Sequence, residues 1–138
     1  MQILEVGSSF MAPTGKNHQH LCIIIAPIPE KESLIVNITT SKTKINPNQD
    51  YVIYPADDLP DCITHRSTIA YEYARKVRNN EIKQMVKENK WIYKGKIPQN
   101  YIWKIQGMGI LSEDLKNKYF DILKEIMSLK MEKKALSY

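Results

Sequence analysis

Three histidines, two cysteines and an arginine beside one of those histidines are the residues of this chain best suited to chemistry near neutral pH. An imidazole ionises near pH ~6.5, so both of its forms are populated there and it can accept or deliver a proton. His20 stands immediately before the apolar run Leu21-Cys22-Ile23-Ile24-Ile25, and His65 precedes Arg66 and Ser67. If the strands that these residues open meet at one rim, His20 and His65 form an acid–base pair. Arg66 would then hold a phosphate bidentately and Thr39 would add a hydrogen bond. Such a set suits RNA cleavage by internal transfer, which needs a base for the 2′-hydroxyl, an acid for the 5′-oxygen and donors for the charged phosphate. The plainer alternative makes the two histidines partly buried structural residues and pairs Arg66 with a surface acid such as Asp61. A zinc reading is also open, because His18-x₃-Cys22 and Cys62-x₂-His65 supply four ligands of the right type. Cys22 lies inside an apolar run, however, where a free cysteine is commonly a small hydrophobe, so no metal is expected. Neither a nucleophile motif around Cys62 or Ser67 nor a glycine-rich phosphate loop is present.

The elements that must position these residues begin with a strand pair. Leu21–Ile25 is apolar without alternation, as expected of a central strand buried on both faces. Leu34 to Thr40 alternates: Leu34, Val36 and Ile38 share one face, while Ile35, Asn37 and Thr39 share the other. The link Pro29 to Ser33 is rich in turn residues, so the two runs read as an antiparallel hairpin that brings His20 beside Thr39 and Thr40. A short first strand is expected over 6–12, opened by Gly7, with a loop at 13–17 and another at 41–50. Tyr51–Tyr54 reads as a strand stopped by Pro55, followed by a polar turn. Ser67–Tyr73 reads as a strand with Ile69, Tyr71 and Tyr73 on one face. Helices are expected over 80–90, after Pro98 with Gly107 and Gly109 ending it, and over 112–131 with Ser112 as its N-cap. Strands followed by helices imply an α+β domain built on a small antiparallel barrel or curled sheet.

With 138 residues, 43% apolar and 25% charged, the chain is expected to form one packed domain. No apolar run approaches the roughly 20 residues of a membrane helix. The first residues lack a signal-peptide pattern, and a cytoplasmic location with reduced thiols is expected. The net charge of +5 is compatible with a polyanion. Nine basic residues against Glu81 and Glu88 fall between Arg75 and Lys104, together with Trp91, Tyr93, Tyr101 and Trp103. Cations interleaved with aromatics suit single-stranded nucleic acid. The alternative is a solvated lysine face over core aromatics.

A glycine-led first strand, the run Leu21–Ile25, the strand end Ile38-Thr39-Thr40, a Ser67-led strand ending in arginine, and Ile110-Leu111-Ser112-Glu113-Asp114-Leu115 before a terminal helix together resemble the MazF/PemK toxins. The resemblance spans most of residues 6–75 and 105–127. It implies an SH3-like β-barrel and a cytoplasmic, metal- and cofactor-independent endoribonuclease acting on single-stranded RNA, with a neutralising antitoxin and a possible homodimer. Thr39 or Thr40 matches the family's strand-end hydroxyl. At the family's arginine position this chain carries His20, and the usual Arg-Pro pair is missing. The barrel core is expected at about 6–77, with a basic, aromatic insert at about 78–104 and a C-terminal helix at about 112–131. Expected catalytic residues are His20, His65, Thr39 and Arg66, and expected RNA contacts are Lys16, Thr40, Ser67, Arg75, Trp91 and Lys94. The alternatives are a non-catalytic RNA-binding module, or an inhibitor of another protein, on the same barrel.

Overall fold

The run Gln19–Ile28 forms strand β2, and its Ile and Cys side chains point alternately into two separate apolar clusters. Leu21, Ile23 and Ile25 enter the larger cluster; Cys22 and Ile24 enter the smaller one. A strand buried on both faces needs a packed layer on each side of the sheet, and between its neighbours β2 is also paired along both edges. The computed structural model describes residues 3–14, 18–40 and 50–136. In chain order these form β1 (Ser8–Pro13), β2 (Gln19–Ile28), β3 (Glu32–Thr40), β4 (Val52–Ile53), β5 (Ser67–Arg78), α1 (Asn79–Lys87), β6 (Ile92–Lys96), α2 (Gln99–Leu111) and α3 (Asn117–Leu136). The sheet runs β4-β5-β3-β2-β1-β6, antiparallel throughout, and curls into a half-barrel. The chain is therefore α+β, as the pattern of strands and then helices implies.

Each face is covered by different helices. Ile102 and Ile105 of α2 and Tyr119 and Leu123 of α3 join the larger cluster, with Leu115 anchoring the turn between the two helices. Ile82 of α1 and Trp91 join Phe10, Ile24 and Ile35 on the opposite face. Fully burying each such side chain stabilises the fold by roughly 1.5–3 kcal/mol. Loop 41–50 lies, except for Asp50, outside the described residues, as do Gly15, Lys16 and Asn17.

Several boundaries differ from the sequence expectation. The first strand starts at Ser8, because Ser8 N donates to Glu5 O and closes a turn over 5–8. Gly7 adopts φ +100, and a Cβ there would lie 2.9 Å from the Ile97 carbonyl, so glycine is required where the chain after β6 meets β1. The 78–104 segment is not peripheral: β6 pairs with β1, and Ile97 and Ile102 are core residues. Gly107 and Gly109 do not end α2, which continues to Leu111 with Ser112 as its C-cap. Ser112 therefore closes one helix instead of opening the next, and α3 starts at Asn117.

Gly109 is helical because it permits a close approach. A Cβ at this position would sit 2.9 Å from Leu123 Cδ1 and 3.1 Å from Tyr71 Cε1, whereas one at Gly107 would meet nothing within 4 Å. Gly109→Ala is expected to destabilise the protein by about 1–3 kcal/mol through overpacking. Gly107→Ala is expected to be neutral or to stabilise by up to about 1 kcal/mol through helix propensity. Urea unfolding of the two variants checks the contrast, and equal midpoints would remove the packing argument.

Candidate functional site

One face of the sheet changes character along its strands. On β1 the sequence on this face is Phe10 then Ala12; on β2 it is Ile24, Cys22, His20; on β3 it is Ile35, Asn37, Thr39. The apolar end lies under α1 and Trp91, while the polar end is left open. Leu21 pairs with Ile38 and Cys22 with Asn37, which brings His20 beside Thr39 as the hairpin reading expects.

Two cavities meet at these two residues. The first, about 320 Å³, is lined by Thr14, His20, Asn37, Thr39, Ala70, Glu72 and Tyr73. The second, about 310 Å³, is lined by Met11, His18, Gln19, His20, Leu21, Ile38, Thr39, Thr40, Cys62, Ile63 and Ser67. His20 and Thr39 are common to both linings. The first cavity opens on the α1 side of the sheet, and the second on the side of the larger cluster, so the pair straddles the sheet end. His20 is half-buried, and its Nδ1 is hydrogen-bonded to Thr14 Oγ1. A histidine held through Nδ1 has a fixed ring orientation and works through Nε2.

The wall formed by Glu72 and Tyr73 comes from an irregularity in β5. Asn37 pairs with Ala70 and Ile35 with Arg75, so Val36 alone faces the four residues Tyr71–Ala74. A bulge this wide breaks the period-2 alternation. Tyr71 and Ala74 turn into the core, while Glu72 and Tyr73 are exposed. Both feet are pinned. Tyr71 Oη donates to the Ile105 carbonyl at 2.6 Å. Arg75 donates to Asn37 Oδ1 at 3.0 Å and to the Tyr73 carbonyl at 3.3 Å. Asn37 Oδ1 also accepts from the Cys22 thiol at 3.2 Å.

Burial raises the Cys22 thiol above its ordinary value, and the Arg75 charge and hydrogen bond offset part of that rise. Cys62 is raised for the same reason, with Lys94 opposing. Cys22 and Cys62 face opposite sides of the sheet. Among the described residues no group of three or more His, Cys, Asp and Glu side chains is gathered as a metal ion needs.

The expected site residues are not all brought together. His20, Thr39, Thr40 and Ser67 line the paired cavities. His65 and Arg66 are exposed and lead into Ser67, but neither belongs to the cavity lining; His65 Nδ1 is instead hydrogen-bonded to Thr64 Oγ1 at 2.8 Å. Ser67 Oγ donates to the His65 carbonyl at 2.9 Å. Lys94 is exposed on β6.

One expected RNA contact is corrected. Trp91 is only 8% exposed and packs against Phe10 with ring centroids 5.9 Å apart, so it cannot present a face to a base. Arg75 is half-buried and braces Asn37 and the bulge. Lys16 lies outside the described residues. Sequence reading missed Asn37, Glu72 and Tyr73. An asparagine inside Ile-Val-Asn-Ile was the available signal for the first. Strict alternation, which places Tyr71 and Tyr73 together, hid the other two.

Set against protein-family models, curated proteins and solved structures, the chain finds no match in any of the three comparisons. Among the described residues no helix is long and apolar enough to cross a membrane.

Tyr71, whose hydroxyl is held above the ordinary tyrosine range chiefly by burial and further by the nearby Tyr51 and Asp50, links the site to stability. The folded chain keeps a proton that the unfolded chain releases above about pH 10. That contribution is intact below this pH and is lost as pH rises past it. The urea midpoint is therefore expected to fall between about pH 9.5 and 11.5. Tyr71→Phe is expected to fall less steeply, while starting about 1 kcal/mol lower at pH 7 for the lost hydrogen bond. Parallel slopes for the two proteins would show that Tyr71 is not the group responsible.

Proposed function

We propose that this protein is a MazF/PemK-like endoribonuclease that cleaves single-stranded RNA without a metal ion, on a barrel of the SH3-like kind. The observation that carries the reading is the pair of cavities sharing His20 and Thr39. A strand laid along both cavities has one phosphodiester over the shared pair and a nucleotide on either side. The open polar end of the sheet and the net charge of +5 suit such a polyanion. The resemblance at Ile38-Thr39-Thr40 and Ile110–Leu115 supports the same reading.

In this reading His20 and Thr39 act from the shared lining, and His65 and Arg66 act from the exposed approach to Ser67, outside both cavities. His20 Nε2 takes the proton from the 2′-hydroxyl, the 2′-oxygen attacks phosphorus, and the P–O5′ bond breaks. The 5′-oxygen leaves with a proton from His65, giving a 2′,3′-cyclic phosphate and a 5′-hydroxyl. Thr39 donates a hydrogen bond to a non-bridging oxygen, and Arg66 neutralises the phosphate from the approach to Ser67. A neutralising antitoxin and a homodimer accompany this reading on the strength of the resemblance. RNA binding without cleavage is favoured by one observation: Arg75, the arginine braced behind the first cavity, is committed to Asn37 and Tyr73.

His20→Ala is expected to lower cleavage of single-stranded RNA by about 10²–10⁴-fold, the usual worth of a general acid–base group. Thr39→Ala is expected to retain more activity, and EDTA to have no effect. A substrate with a 5′-bridging sulfur leaves without a proton, so it is expected to restore His65→Ala but not His20→Ala. Mapping of RNA 5′ ends and rate measurements read all of these. Intact RNA bound by the wild-type protein would replace the nuclease with the binding module.

A further inference from the structure

We propose that the Tyr73 side of the groove is a nucleobase subsite that selects guanine beside the scissile phosphate. The inference rests on reading the groove as an RNA site. The first cavity is near the small end of ligand-sized cavities, about 300 Å³, and so suits one base more than an extended ligand. Tyr73 is 63% exposed yet sits in its wall. An exposed aromatic is ordinarily free to move with its backbone, but here the backbone is held. Arg75 grips the Tyr73 carbonyl from one foot of the bulge, and the Tyr71 hydroxyl fastens the other foot to α2. The ring is thus presented to the cavity on a fixed support, which is what a stacking platform requires.

Glu72 supplies the selection. It shares the cavity wall and the crest of the bulge with Tyr73. A carboxylate only accepts hydrogen bonds. Of the four RNA bases, guanine alone offers two adjacent donors on its Watson–Crick edge, N1–H and the N2 amine. Adenine and cytosine each place an acceptor beside their amine, and uracil flanks its N3–H with two carbonyls that repel a carboxylate. A base stacked on Tyr73 and read by Glu72 is therefore guanine. His20 and Thr39 in the same cavity put the adjoining phosphate at the reacting position.

The test uses 2′-O-methyl oligoribonucleotides, which cannot undergo internal attack, in a uridine background with one guanine, adenine or cytosine. Binding is followed by fluorescence anisotropy for the wild-type protein, Glu72→Gln, Tyr73→Ala and Tyr54→Ala. Tyr54 is equally exposed but lies outside both cavities. The guanine oligomer is expected to bind about 10-fold or more tightly than the others. Glu72→Gln is expected to erase that preference, Tyr73→Ala to weaken every oligomer by about 10-fold, and Tyr54→Ala to match wild type. A wild-type protein with no guanine preference or no measurable binding, or a Glu72→Gln variant that keeps the preference, overturns the subsite. Cleavage of unmodified oligomers is read in parallel. Cleavage indifferent to guanine overturns the subsite and leaves the nuclease standing, whereas guanine-selective binding without cleavage overturns the nuclease and upholds the subsite.

Discussion

The register between β2 and β3 is the constraint on which the rest of the molecule depends. Cys22 opposite Asn37 and Ile24 opposite Ile35 put one continuous row of side chains on each face. Side chains alternate with a period of two, so a slip of a single residue would carry Leu34, Val36 and Ile38 away from the larger cluster and put Asn37 and Thr39 in their place. The register is secured by burial on both faces at once: Leu21, Ile23 and Ile25 oppose such a slip on one face, and Ile24 and Ile35 oppose it on the other. The same register delivers His20 next to Thr39. Core and candidate site are thus two ends of one pairing.

The transition from apolar to polar along the α1 face is managed by a buried polar arrangement. Asn37 is 5% exposed, and its carbonyl oxygen receives both the Arg75 guanidinium and the Cys22 thiol. A hydrogen bond to a charged donor contributes about 1.5–3 kcal/mol, and this one ties Arg75 to the central hairpin. This explains why a residue from the basic stretch is structural. Its charge is spent in holding a strand irregularity next to the open end of the sheet.

Much of this was legible in the chain. The unbroken run Leu21–Ile25 and the alternation of Leu34 to Thr39 gave the central hairpin and its faces, because burial on one or two sides leaves a distinct pattern of side-chain types. Where local signals competed with tertiary packing, the sequence misled. Gly109 looked like a helix end, yet the helix passes through it because Tyr71 and Leu123 close on that point. Ser112 has a good cap side chain, but the turn at 113–116 and buried Leu115 place it at the end of α2. Trp91 looked like a ligand platform within a basic stretch, and only the β1–β6 pairing reveals that Phe10 lies against it. The bulge of β5 had no local signature: Tyr71 and Tyr73 are the same residue type two positions apart, and one is core while the other faces solvent.

That bulge separates two kinds of selective pressure within four consecutive residues. Tyr71 and Ala74 are held by the interior, so change there is penalised in every cell that needs the protein folded. Glu72 and Tyr73 project from the crest and bury little, so exchange there leaves the scaffold nearly untouched. A lineage of such chains can therefore drift rapidly in what the crest contacts while its framework stays constant. Homologues that share the Asn37–Arg75 brace would be expected to differ most at the two positions it supports.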